Sequence, residues 1–424
     1  MINIVGMRTN TKGYIMKVDM QNKWIEFDKP FNVIDRVDYN DLLLNVPIKL
    51  WLSKVENGAL EQAYNVARLP FIFHHVAGMP DMHVGYGMMI GGVMASKGYI
   101  VPNAVGMDIG CGMCSIRTNL HSIGKANLKS IMGDIRKLIP VGFKHNKKAQ
   151  EGMPTWNGID YSNTIICKEE NSARKQLGTL GGGNHFIEIQ KGDDGYIYVM
   201  IHSGSRNLGA KVATHYNKLA VDLNEKWCSV VPKKWQLAFL PFHEEEGQRY
   251  FQEMQYCCDF ALANRQLMMD RVEEAFKNHI NATFYQTDFI NIHHNYAAME
   301  NHFGQNVLVH RKGATKASKD MLGIIPGSQG TSSYIVRGLG NRESFESCSH
   351  GAGRVLGRKK AKEKLNLQTE ISKLDKQGII HGIRNKKDLE EASGAYKDID
   401  DVMHHQTNLV MIKTELKPLA VVKG

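Results

Sequence analysis

The chain has 424 residues, 42% of them apolar and 23% charged, which is enough to close a sizeable core and excludes a disordered or low-complexity protein. A formal charge of +10 at pH 7 favours a polyanionic partner, because Lys and Arg that neutralise phosphates release counterions. The longest apolar run, Met88 to Ala95, holds two glycines and gives way to Lys97, well short of the roughly 20 residues a membrane span needs, so no membrane segment is expected.

Met1 to Lys17 carries neither a signal-peptide run nor an Arg-rich amphipathic stretch and reads as a short strand and turn. Asn57 is placed to cap a helix through Leu60, Ala63, Tyr64 and Ala67, ended by Pro70, with Phe71 to Val76 resuming as a strand. Leu128, Ile131, Met132, Ile135 and Leu138 mark a second helix, stopped by Pro140, and Val212, Tyr216, Leu219 and Leu223 a third. Buried strands are expected at Phe186 to Ile189, Tyr196 to Ile201, Phe289 to Ile292 and Asn306 to Val309, and a long helix at Glu246 to Asn278. Arg358 to Lys387, Lys-rich with Leu365, Ile371 and Leu374 spaced among the charges, reads as a solvated helical surface segment with one apolar stripe. No repeat or linker divides the chain, so residues 1–424 read as one large mixed α+β domain. Seven cysteines without a small-domain framework point to a reducing compartment, the cytoplasm.

Short Gly-rich segments carry the chemistry. Pro80-Asp-Met-His-Val-Gly-Tyr-Gly precedes Val105-Gly-Met-Asp-Ile-Gly-Cys-Gly, in which Asp108 and Cys111 stand three apart between glycines that let the backbone approach a ligand closely. A carboxylate and a thiolate so spaced can share one ion. Half a zinc knuckle at Cys111 and Cys114 is the weaker reading, because no second such pair exists. His185 stands where a Gly-rich turn enters a strand, and His202 and His294 where strands end beside Ser-Gly and Asn. One such histidine is ordinarily a core residue; three, with Asp108 and Cys111, make the donor set that manganese or zinc prefers.

His350, in Cys348-Ser-His-Gly-Ala-Gly-Arg-Val-Leu-Gly-Arg, has glycines beside it and Arg354 and Arg358 downstream to clamp phosphate oxygens. Its ring can attack phosphorus and hold a nucleotide as a phosphoramidate, provided the imidazole is neutral. A phosphate-binding turn without a covalent step stays open from this segment alone. Ile325-Pro-Gly-Ser-Gln-Gly-Thr-Ser-Ser-Tyr and the tail Lys417-Pro-Leu-Ala-Val-Val-Lys423-Gly424 complete the set, the latter an apolar strand able to tuck a lysine into a site.

In their order and number, from Pro80 to Gly424, these segments resemble the RtcB family of RNA ligases. The resemblance implies the fold of that family, with a metal site in a central pocket lined by strand ends and Gly-rich turns. It implies joining of an RNA 3′-phosphate or 2′,3′-cyclic phosphate to a 5′-hydroxyl, in RNA repair or tRNA splicing, with GTP and two Mn2+ as cofactors. His350 would be guanylylated, GMP would pass to the RNA 3′-phosphate to give an RNA-3′-pp-5′-G end, and the 5′-hydroxyl would displace it. Cys111 would bridge two Mn2+ ions, one also held by His202 and His294, the other by Asp108 and His185. Asn184, Phe186, Glu188, Ser333, Ala352, Gly353, Tyr396 and Lys423 would surround GTP, and Arg206, Arg354 and Arg358 would hold RNA phosphates. RNA with such ends is the implied partner, an archease-like activator a further one. Two departures from the family pattern, Gly357 for a serine and Gln329 for an apolar residue, touch neither metal set nor nucleophile and bear on RNA-end preference.

Two other readings use the same residues. A dinuclear metal phosphoesterase would activate water where the ligase uses His350. A basic RNA-binding module would need only a structural metal, but four donors suffice for that and this set exceeds four.

Overall fold

Runs of apolar residues too short for helices, such as Ile197–Ser203, buried at every position, build a seven-stranded sheet. The computed structural model describes residues 44–424 except 159, and before them the backbone of the short strands Lys17–Asp19, Trp24–Glu26 and Asn32–Ile34. The strand and turn expected for Met1 to Lys17 thus lies, but for Lys17, outside the described residues.

Across the sheet the order is Ile290–His293, Gly112–Arg117, Ile197–Ser203, Phe186–Gly192, Val410–Lys423, Ser333–Gly338 and Leu322–Ile325, with neighbours antiparallel where their pairing is described. Antiparallel neighbours bring the start of one strand against the end of the next. His293 pairs with Gly112, His202 with both Met113 and Phe186, and Phe186 with Lys423. One end of the sheet therefore gathers the residues the sequence scatters.

A second sheet of six strands runs Asn295–His302, Gln305–Lys312, Met88–Ser96, Ile72–Tyr86, Ile48–Leu50, Asn32–Ile34, with one parallel pair, Ile48–Leu50 on Ile72–Tyr86. Ile72–Tyr86 slips register against Met88–Ser96 between Gly78 and His83, a bulge that re-aims the intervening Asp81. A two-stranded ribbon, Ala314–Lys316 with Ser347–Ser349, delivers His350.

Helix Glu245–Lys277 spans two apolar clusters. Its Met268, Val272 and Phe276 pack with Ile187, Val199 and Ile201 of the larger sheet and Ile131 and Ile135 of helix Lys125–Leu138, while Tyr250, Met254 and Phe260 pack with Leu208 and Val212 of helix Arg206–Lys226. All seven cysteines are free. Among the described residues no helix is long and apolar enough to cross a membrane.

Three sequence expectations change. The first helix is Asn57–Ala67, but Glu56 occupies the cap and makes no side-chain bond there, leaving Asn57 as the first helical residue. The strand expected to end at Val76 continues to Tyr86, because its bulged register tolerates the glycines and Pro80. Arg358 to Lys387 is not one helix but two, Arg358–Lys364 and Leu367–Lys376, followed by irregular chain. Asn366 breaks it, its side chain accepting from Thr369 N to cap the second helix, and Leu374 is buried.

Arg311 fixes the approach to His350. Fully buried, it pairs with both Glu300 oxygens at 2.6 and 3.0 Å and donates to the Phe345 carbonyl at 2.8 Å and Ser347 Oγ at 2.9 Å. Arg311→Met leaves Glu300 to His302 and Lys316 and takes the Phe345 carbonyl's donor away, and a loss of about 1–3 kcal/mol is expected in urea unfolding; a change below about 0.5 kcal/mol would contradict this role.

Candidate active site and metal centre

Cys111, in the tight turn before Gly112–Arg117, is the hub of the donor cluster. Its Sγ lies 3.4 Å from His185 Nε2 and 3.2 Å from His202 Nε2, and one ligand atom from each of the three falls within 4.8 Å of the others. Asp108 Oδ2 reaches His185 Nε2 at 3.0 Å. The His294 ring stands 5.2 Å from that of His202 and 4.8 Å from that of His350, so the five expected donors and the expected nucleophile form one contiguous group. Cys114 turns away into the apolar cluster with Ile116 and Met268, which removes the paired-cysteine reading.

Local bonds orient the donors. His202 Nδ1 faces the Asn184 carbonyl at 3.2 Å; since a carbonyl only accepts, that nitrogen carries the proton and the Nε2 lone pair points at the sulfur. Burial and the neighbouring histidines hold His202 and His294 well below the ordinary imidazole range, and burial with Asp108 pushes the Cys111 thiol up. Burial also raises Asp108, but the hydrogen bond and charge of His185, with Arg206, outweigh it and keep the carboxyl ionised far below the usual range. Neutral imidazoles at His202 and His294, a carboxylate and a thiol that loses its proton on metal binding suit a borderline divalent cation.

All four donor-bearing segments are tied to two adjacent residues of helix Glu245–Lys277 that the sequence reading missed. Arg265, fully buried, donates to the Gly110 carbonyl at 3.0 Å, the Ser203 carbonyl at 2.9 Å and Asn291 Oδ1 at 2.7 Å. Asn264 accepts from Gly178 N at 2.7 Å and Thr179 N at 3.1 Å, and donates to the Gly204 carbonyl at 3.1 Å.

His350 is fixed from its other side. Its Nδ1 lies 2.5 Å from Asp81 Oδ2, and its backbone N donates to the same oxygen at 3.0 Å. The fully buried Asp81 thereby keeps the proton on Nδ1 and the lone pair on Nε2. Lys397 Nζ holds the Pro80 and Met82 carbonyls at 2.9 and 2.8 Å, and His83 Nδ1 meets the Asp81 carbonyl at 2.9 Å. Gly353, at φ +71°, is required here, because a Cβ would come within 2.3 Å of the Asp81 carbonyl oxygen. The sequence offered Asp81 and His83 only as members of a Gly-rich segment, and Lys397 not at all.

His350 opens on a pocket of about 600 Å3 lined by Asn184, Phe186, Glu188, Ala352, Gly353, Tyr396 and Lys423, seven of the eight expected nucleotide contacts. Ser333 stands behind the wall, accepting from Gln190 Nε2 at 3.2 Å, while Gln190 also donates to Glu188. Burial pushes Glu188 up to about 8 against the opposing pull of Gln190 and Lys423. Lys423 Nζ donates to the Asn184 carbonyl at 3.3 Å and lies over the Phe186 ring. The three arginines separate. Arg206 is drawn to the donor cluster, its Nη1 3.2 Å from His185 Nδ1. Arg354 is engaged by Glu391, Tyr396 and the Leu356 and Glu390 carbonyls. Arg358 bonds Glu391 through Nε, lines the pocket and leaves more than half of its side chain exposed.

Residues 62–424 match the family model described as tRNA-splicing ligase RtcB. The chain belongs to the RtcB family. It is 39% identical to the RNA-splicing ligase RtcB of Escherichia coli K12, over 90% of this chain and 98% of that protein. It is 33% identical to the tRNA-splicing ligase RtcB of Thermococcus kodakarensis, over 94% and 96%, and 33% identical to RNA-splicing ligase RtcB homolog 1 of Entamoeba dispar, over 97% and 92%. The RtcB match covers every donor, His350 and the seven lining residues named above, and begins inside helix Asn57–Ala67.

If the Arg265 fork holds the donor strands in place, Arg265→Lys, which keeps the charge but not the fork, should fold with native circular dichroism yet bind Mn2+ about 10- to 100-fold more weakly by calorimetry. Unchanged affinity would make Arg265 a packing residue only.

Proposed function

We propose that this chain is an RNA ligase that joins RNA 3′-phosphate or 2′,3′-cyclic phosphate ends to 5′-hydroxyl ends, with GTP as the activating nucleotide and His350 as its carrier. The observation that supports this reading best is the His350 imidazole, tied through Nδ1 to a buried carboxylate and opening on a nucleotide-sized pocket beside the donor cluster.

His350 Nε2 attacks the α-phosphorus of GTP; a P–N bond forms and pyrophosphate leaves. Positive charge developing on the ring is met by Asp81 through the Nδ1 proton. An oxygen of the RNA 3′-phosphate then displaces the imidazole and takes GMP. Last, the 5′-hydroxyl oxygen attacks the 3′-phosphorus, GMP departs, and a phosphodiester remains. Asp108, Cys111, His185, His202 and His294 would hold the two manganese ions, which supply charge neutralisation at the reacting phosphates.

Glu188 accounts for the choice of guanine: a carboxylate accepts from N1 and N2, donors adenine does not present together. Phe186 and Tyr396 offer apolar and aromatic wall, and Lys423 and Arg358 positive charge for the phosphates. Arg354, with its N–H groups already bound within the protein, shapes the pocket rather than reaching for RNA; Arg358 is the better phosphate contact.

Incubation with α-labelled GTP and MnCl2 tests the covalent step. Acid-labile, base-stable label is expected on wild-type protein and none on His350→Ala; no label on either, with GTP and metal shown to bind, would favour the phosphoesterase reading. Glu188 gives a pH signature. In the free protein its carboxyl is protonated below about 8, whereas guanine requires the carboxylate, so binding releases a proton and affinity rises with pH until that range is passed. Titrations at pH 6.5 and 8.5 should show tighter GTP binding at the higher pH in wild type, flattened and less selective against ATP in Glu188→Gln. A flat wild-type profile would remove Glu188 from the guanine site.

A further inference from the structure

Phe143 is the most exposed of the large apolar side chains among the described residues, fully open to solvent. A lone exposed apolar residue is ordinary, but this one is held out by a loop that is otherwise well anchored. Gly142 N donates to the Gly181 carbonyl at 2.7 Å and Lys144 N to the Val141 carbonyl at 3.3 Å. Asn146 Nδ2 donates to the Lys175 and Leu177 carbonyls at 3.0 and 2.7 Å. The ring finds no apolar neighbour to cover it, although the backbone carrying it is bonded on both sides.

The loop that carries it is basic. From Ile135 to Gln150 the chain contains no Asp or Glu, while Lys144, Lys147 and Lys148 beside Phe143 are all exposed. An aromatic face flanked by cations is the combination that binds single-stranded nucleic acid, since every base has a face to stack and every phosphate a charge to pair.

The loop also borders the site. Gly142 lies against the Gly181–Gly183 turn that leads to His185: a Cβ on Gly182 would come 3.7 Å from the Gly142 Cα, and one on Gly183 would come 2.9 Å from the Arg358 guanidinium. Gly181 is buried under the Arg206 guanidinium, but exposed Gly182 and half-buried Gly183 leave a short strip without side chains, with the Phe143 loop on one flank and Arg358, a pocket-lining cation, on the other. A sugar-phosphate backbone can lie close over such a strip.

We propose that Phe143, with Lys144, Lys147 and Lys148, is a stacking platform for single-stranded RNA flanking the reacting end, whose backbone crosses Gly182 and Gly183 toward Arg358. The ligase reading above supplies RNA as the ligand, and the platform extends it to a surface outside the pocket.

The test compares wild type, Phe143→Ala, Phe143→Leu and Phe143→Trp, each with Mn2+ and GTP, by equilibrium binding of a short fluorescent single-stranded RNA bearing a 3′-phosphate. Phe143→Ala and Phe143→Leu should weaken binding about five- to hundredfold, and Phe143→Trp should restore it. Guanylylation without RNA should stay within about twofold of wild type. Replacing Lys144, Lys147 and Lys148 by Gln should reduce the slope of log affinity against log salt by about 2. Binding unchanged in Phe143→Ala, or restored by Leu, overturns the platform; the first leaves the ring as a contact for a protein partner. Wild-type protein that takes no GMP label sinks the ligase reading instead, and the RNA-binding comparison still decides the platform.

Discussion

The guanidinium of Arg265 and the amide of Asn264, side by side in the middle of one helix and both fully buried, are the constraint on which the donor cluster depends. A charge withdrawn from water is tolerated only where acceptors surround it, and here those acceptors are the turns and strand ends that carry Asp108 and Cys111, His202 and His294, while Asn264 takes the turn leading to His185. Each segment needs the pair to satisfy its own buried backbone groups, and the pair needs the segments to offset its desolvation. Displacing any one of them orphans a polar group at the helix. Segments as distant in sequence as Gly110 and Asn291 are in this way locked to a single rigid reference.

His350 has a separate mounting. Asp81 comes from the bulge of the six-stranded sheet, and His350 from the end of a ribbon pinned by Arg311 to that same sheet. Glu188 and the donors other than His294 come from the strands of the other sheet and the turns that lead into them. His350 therefore lies at a seam that His294 itself bridges: it joins Ile290–His293 of one sheet to Asn295–His302 of the other, and its carbonyl accepts from Ala314 N of the ribbon at 3.2 Å. Gly353 and Gly313 keep that seam narrow, a Cβ on Gly313 falling 3.1 Å from the His350 ring.

The sequence made the convergence legible because antiparallel strands put their ends in register, and glycine marks the tight turns there. His185, His202 and Cys111 each carried that mark, and His294 carried Asn295 in its place. Asn264 and Arg265 carried none: in a helix dense with charges, two polar residues on the apolar side look like any other pair, and only the partners, more than 60 residues away in most cases, reveal them. Helix Ile165–Gln176 escaped notice because only three of its residues are buried. The break in the Lys-rich stretch was readable in principle, since Asn366 and Thr369 have the spacing of a side-chain cap, but charge density masked it. Ser333 shows the remaining limit, as motif membership does not tell the surface of a wall from the layer behind it.

Strand Val410–Lys423 lies between Phe186–Gly192 and Ser333–Gly338 in the seven-stranded sheet. Before it is in place, those neighbours are two separate half-sheets with facing unpaired edges, and the pocket lacks Lys423. During synthesis all preceding strands must wait for this one, so closure is a late, long-range event of the slow kind that high contact order imposes. Until then the open edges are sticky templates for other chains. Folding and assembly of the pocket beside His350 thus finish in the same step, and a nascent chain interrupted before residue 410 holds the Cys111 donor cluster without the strand that brings Lys423 to the pocket wall.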